Sequence, residues 1–75
     1  MKTLTKDEFL KLDTIEQMDY INEHAQKYNG REWLYIGDNN DIYDVDNNQE
    51  VNNLFDYALD MYYEATDLQG KLFLD

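Results

Sequence analysis

Carboxylates are the side chains in this sequence numerous enough to do chemistry together. Between Glu32 and Gly70 there are ten of them (Glu32, Asp38, Asp41, Asp44, Asp46, Glu50, Asp56, Asp60, Glu64, Asp67) and no Lys or Arg. The flanks are nearly balanced: residues 1–31 carry six acids against five bases, and residues 71–75 carry one of each. Ten units of the net charge of -11 therefore fall in one stretch. Carboxylates at such density can move protons, hold a cation, or offer a negative surface to a basic one.

Proton transfer is the weakest of these. General acid–base work needs a pocket that excludes water, and 75 residues are few to build one. Ser and Cys are absent, which removes a serine triad, a thiol nucleophile and a thiolate metal site. His24 is the single histidine and falls at the margin of a helical stripe, where a surface position is expected. No zinc-ligand set is present. The expectation is a protein that is not an enzyme, with no catalytic residue and no cofactor.

Cation binding has one local candidate. Asp44, Asp46 and Asn48 match the first, third and fifth positions of a calcium-binding EF-hand loop. The match then fails, because the sixth position is Gln49 where Gly is needed and the twelfth is Phe55 where Glu is needed. Helix capping accounts for Asn47 and Glu50 without a metal, so no metal ligand is assigned.

The third possibility rests on spacing. Val51, Leu54, Phe55, Ala58, Met61, Tyr62, Ala65 and Leu68 recur as the inward stripe of one helix. On that helix Asp56, Asp60, Glu64 and Asp67 fall within an arc of about 80°, opposite the stripe, and successive acids four apart stack about 6 Å from each other. Like charges at that spacing cost roughly 0.2–0.5 kcal/mol per pair. Earlier in the chain Asp7 is followed four residues on by Lys11, and Glu23 by Lys27. The third helix never uses this remedy. A single-sign face kept at a cost in stability steers and binds a concentrated basic surface. The commonest such surfaces are clefts that hold nucleic acid. Asp56, Asp60 and Glu64 are expected to contribute most to this contact, with Asp41, Asp44 and Asp67 in support. Leu59 and Tyr63 flank the acidic arc one turn apart, and Tyr63 is a candidate anchor. An alternative is a mainly apolar protein contact through Leu59, Tyr63 and Tyr20, in which the charge serves solubility. Direct binding to nucleic acid or to anionic lipid is disfavoured, because both repel carboxylates.

Positioning these residues requires a scaffold, and the rest of the sequence supplies one. Thr5 and Glu8 form a capping box for a short first helix ending near Leu12, with Leu4 and Phe9 as its hydrophobic staple. Asp13 or Thr14 caps a second helix, with Glu16 or Gln17 as the returning side chain. Its buried stripe is Ile15, Met18, Ile21, Ala25 and Tyr28, and Asn29-Gly30 ends it. Residues 33–36 and 42–45 read as the two strands of a hairpin across the turn formers 37–41, in a register the sequence leaves open. Asn47 with Glu50 can cap the third helix, and Gly70 is its stop signal. Lys71-Leu72-Phe73-Leu74 reads as a last strand beside the hairpin or a tail packed on the helices. The expected architecture is a single α+β domain over residues 1–75, in the order ααββα with a possible C-terminal strand.

An apolar content of 43%, with eleven aromatic residues, allows a modest core. No signal peptide or bilayer-spanning run is visible, and the lack of Cys fits a reducing compartment, so a cytoplasmic protein is expected. In size, acidity and layout the chain resembles small phage-encoded inhibitors of bacterial defence, namely anti-CRISPR proteins and DNA-mimic anti-restriction proteins. The base-free stretch Glu32–Gly70 and the stacked Asp56, Asp60, Glu64 and Asp67 carry that resemblance. The opening from Leu4 to Leu12, followed by Glu16 to Asn22, also resembles helical openings of small phage proteins. The resemblance implies a host-cell inhibitor whose partner is a basic nucleic-acid-binding protein, such as a CRISPR effector or a restriction enzyme.

Overall fold

The computed structural model describes residues 3–29, 32–61 and 70–72. Its elements are α1 (Lys6–Lys11), α2 (Thr14–Asn29), β1 (Leu34–Ile36), β2 (Ile42–Asp44) and α3 (Leu54–Met61). The α+β class holds, with three helices and a two-stranded antiparallel sheet.

Local chemistry explains most of the boundaries. The α1 cap is reciprocal: Glu8 N–H donates to Thr5 Oγ1 at 3.2 Å and Thr5 N–H donates to Glu8 Oε1 at 3.0 Å. Asp13 and Glu16 repeat the arrangement at the start of α2, with bonds of 2.8 and 3.2 Å. Between the helices Gln17 Nε2 donates to Phe9 O at 3.1 Å, a carbonyl that also accepts from Leu12 N–H at 3.1 Å.

The core is Phe9, Met18, Tyr20, Ile21, Leu34, Ile42, Leu54, Ala58 and Leu72, joining every element. Phe9 lies edge-on to Tyr20, with ring centroids 5.7 Å apart. Two expectations for α2 change: Ile15 is exposed and His24 is buried. Tyr20, open as a surface contact or a packed residue, is buried. Tyr20 lies under residues 70–72. That segment runs antiparallel to the chain before α1, with Lys6 N–H donating to Gly70 O and Leu72 N–H to Leu4 O, both at 2.7 Å. Tyr20 Oη clamps the pair, accepting from Leu4 N–H at 2.9 Å and donating to Leu72 O at 3.1 Å. His24 Nδ1 lies 2.9 Å from Tyr20 O, an acceptor, so that nitrogen carries the hydrogen. The expected last strand thus pairs with the N-terminal segment and not with the hairpin. Ala25 and Tyr28 fall outside the described side chains.

The hairpin register is Leu34↔Asp44, Tyr35↔Tyr43 and Ile36↔Ile42. Its loop closes with Gly37 N–H donating to Asp41 O at 2.7 Å, and Asn40 takes the left-handed conformation at φ 63°. A Cβ on Gly37 would lie 2.4 Å from Cε1 of Tyr43, so the ring covers a position that only glycine leaves open. A tight turn then follows β2. Asn48 adopts φ 53°, Asn47 N–H donates to Asp44 Oδ1 at 2.8 Å, and the chain returns along β2. Asp44 N–H donates to Gln49 O at 2.9 Å and Val51 N–H to Ile42 O at 2.8 Å. Residues 49–51 therefore lie beside the two strands through a single antiparallel bridge, Glu50 opposite Tyr43. Because these residues extend the sheet, Asn47 and Glu50 do not cap α3. Asn53 does, accepting from Asp56 N–H at 3.1 Å.

Candidate acidic groove and sheet edge

The return of the chain along β2 and its turn into α3 leave an open groove of about 380 Å³. One wall is the 49–53 segment and the other is the outer face of α3, including Tyr57 and Met61. Among the described residues, the charged ones lining it are Asp44, Glu50, Asp56 and Asp60, with no Lys or Arg. Asp56 and Asp60 are exposed one turn apart, as the spacing requires, and Glu50 is exposed across from them. Asp56 also lies in the first turn of α3, where a negative charge favours the helix N-terminus. That local role accounts for Asp56 but not for Asp60, which lies a turn further along.

The sequence-assigned residues divide among several places. Asp56 and Asp60 share the groove. Asp44 lines its floor but is only 7% exposed, its Oδ1 engaged by the Asn47 amide, so its main work is to close the turn. Half-buried Asp41 is at the other end of β2, in the hairpin loop. Tyr63, Glu64 and Asp67 lie outside the described residues, as do Tyr62, Ala65 and Leu68 of the expected stripe. Of the proposed apolar contact, Tyr20 is buried and Leu59 is half-buried against the core. Among the described residues, no group of three His, Cys, Asp or Glu side chains is gathered to hold a metal ion.

The chain matches no family model, no curated protein and no solved structure with which it was compared. Its own geometry carries the functional reading.

That geometry includes residues the spacing did not single out. Tyr35, Tyr43 and Glu50 form one cross-strand row. Tyr35 and Tyr43 stack with ring centroids 5.6 Å apart and planes at 22°. Tyr35 donates through its hydroxyl to Asn48 Oδ1, which ties the exposed ring to the tight turn. The Tyr43 phenol is held above the ordinary tyrosine value of 10.0, first by burial and then by the charges of Asp41, Glu50, Tyr35 and Asp38. The sequence signal for this row was short. Gln49-Glu50-Val51 is too brief for an alternating strand pattern, and only the turn-forming Asn47-Asn48 hints at a second hairpin.

The opposite edge of the sheet is finished differently. Asn22 of α2 is buried, and its Oδ1 accepts from Trp33 N–H and Leu34 N–H, each at 3.0 Å. Its Nδ2 donates to Leu34 O at 2.9 Å. A side-chain amide has the same donor and acceptor set as a peptide group, so Asn22 stands in for a neighbouring strand. Among the described residues, no helix is long and apolar enough to cross a membrane.

Proposed function

We propose that this protein is a non-enzymatic inhibitor. Its carboxylates take the place of nucleic-acid phosphates in the basic cleft of a DNA-binding protein and exclude the true ligand. The carrying observation is the exposed pair Asp56 and Asp60 on α3, facing Glu50 across a groove that, among the described residues, no Lys or Arg lines. Within the base-free stretch no neighbouring cation neutralises this face from along the chain. Like charges held unneutralised are useful where a partner brings the opposite sign. The basic cleft follows from these residues. That the cleft belongs to a bacterial defence nuclease, such as a CRISPR effector or restriction enzyme, follows from the resemblance to phage-encoded inhibitors. The reading calls for no cofactor and places the encounter in the host cytoplasm.

Affinity capture from bacterial lysate, with nuclease added, tests it at low and at raised salt. The expected outcome is a basic DNA-binding protein retained without DNA and released as salt screens the contact. The double variant Asp56→Lys, Asp60→Lys should lose that partner while keeping its fold. Retention of the partner by this variant, or a partner indifferent to salt, overturns the reading. The second outcome would favour the apolar alternative, of whose residues Tyr20 is buried, Leu59 is half-buried against the core and Tyr63 lies outside the described residues.

A further inference from the structure

We propose that the 49–51 edge of the sheet is a strand-addition site for an extended, arginine- or lysine-bearing segment of a protein partner. The register makes this specific. Tyr43 and Glu50 are opposite each other, and the bonds flanking them run from Asp44 N–H to Gln49 O and from Val51 N–H to Ile42 O. In such an antiparallel pair the main-chain groups of Gln49 and Val51 turn inward, and those of the residue between them turn outward. Glu50 N–H and C=O therefore point away from β2, and among the described residues no group bonds to either. Outward main-chain groups on an exposed strand are a template for another strand. The groove beside them, about 380 Å³, is space bounded on its far side by α3.

Charge decides what can occupy this edge. A second copy of the chain would bring Glu50 and the α3 acids against their like, which opposes pairing between copies. A cationic segment meets the reverse. Side chains on an added strand alternate between its two sides. Those level with Glu50 reach its carboxylate and continue the row Tyr35–Tyr43–Glu50, where a guanidinium can also rest on the Tyr43 ring. Those on the other side face the α3 wall bearing Asp56 and Asp60. The inference deepens the basic-partner reading and rests on it. It adds that the partner engages main chain as well as charge.

The probe is a short peptide in which Arg and Val alternate, titrated into the isotope-labelled full chain. Two further peptides carry N-methyl groups on alternate amides, one in each phase. Strand addition predicts that the plain peptide binds and slows hydrogen exchange at the Glu50 amide. It predicts that methylation in one phase weakens binding by about tenfold or more while the other phase is tolerated. Glu50→Gln keeps the N–H and should retain the protection, whereas Glu50→Pro, which has no N–H to donate, should weaken binding of the plain peptide by about tenfold. Equal binding of all three peptides without protection at Glu50 overturns strand addition and leaves a contact made by side-chain charge alone. No binding by any of them overturns the strand site, and the lysate capture then reports separately on the charged face. Concentration-dependent dimers protected at Glu50 would assign the edge to a second copy and overturn the cationic occupant.

Discussion

Along β1 the sheet is closed by a single side chain, whereas along residues 49–51 it ends on open main chain. Asn22 meets the outward N–H and C=O of Leu34 from within α2, and the site is buried. Glu50 offers the same two groups to solvent, beside a groove with Asp56 and Asp60 on its far wall. A small sheet faces the same hazard at both edges, since an unpaired strand recruits others. One edge is protected by occupation and the other by charge. The difference matters because protection by charge is selective. Charge of this sign opposes an acidic strand and favours the basic one proposed above.

The sealed edge gives the largest expected effect. Asn22→Ala removes three hydrogen bonds and leaves buried main-chain groups of Leu34 without partners, so stability should fall by about 3 kcal/mol. Urea denaturation measures it. A loss below about 1 kcal/mol would mean that water replaces the amide and that the two edges are not as different as drawn. Asn22→Asp sharpens the point: it keeps the acceptor, loses the donor to Leu34 O, and buries a charge, so it should not rescue the loss.

The second effect is at Gly37. A methyl group there meets the Tyr43 ring, which must swing away and abandon its stack on Tyr35. Gly37→Ala should cost about 1–2 kcal/mol and diminish the near-ultraviolet circular dichroism of the tyrosine pair. If the dichroism stays intact while stability falls, the loop backbone has moved instead of the ring, and the row leading to Glu50 survives.

Why one edge was legible in the sequence and the other was not follows from the range of the interactions. The caps at Thr5–Glu8 and Asp13–Glu16, the hairpin strands and the exposure of Asp56 and Asp60 all depend on residues within a few positions of each other. Spacing reveals them. Asn22 acts on residues eleven and twelve positions away, and a polar residue beside a helical stripe reads as solvent-facing until the strand is in place. Tyr20 could not be assigned from spacing for the same reason, because its hydroxyl is held by a segment about fifty residues further on. Glu50 reads as a cap of the third helix, because nothing within a few positions marks it as pairing with β2. Asn53, three residues later, takes that cap instead. Of the candidate site, the charge could be read from the sequence and the edge could not.

A smaller effect tests whether the open side is held at a cost. Asp60→Lys replaces a repulsive i,i+4 pair with Asp56 by an attractive one in the favourable orientation. Stability should rise by roughly 0.4–1 kcal/mol, read from thermal denaturation at low salt and shrinking as salt is added. A variant more stable and yet unable to hold the basic partner would separate what the fold prefers from what the surface is for. A fall in stability would show that Asp60 has a structural role, and the comparison between a built edge and a charged edge would weaken.

The smallest effect is at Tyr43, where both loops of the open side converge. Its phenol ionises above 10.0 in the folded protein, so the fold holds the proton more tightly than the unfolded chain does. The corresponding stability is fully present below pH 10.0 and is lost as pH rises through the raised folded value. Carbon NMR of the Tyr43 ring can follow the titration directly. Burial is the first cause and stays in every variant, so the midpoint should remain above 10.0 throughout. Asp41→Asn should lower it more than Glu50→Gln, since Asp41 is the stronger of the two charges acting on it. Bound at the open edge, a cationic segment places positive charge near Glu50 and should lower the midpoint further. A peptide that binds without moving it must be seated away from the Tyr35–Tyr43–Glu50 row, on the α3 wall alone.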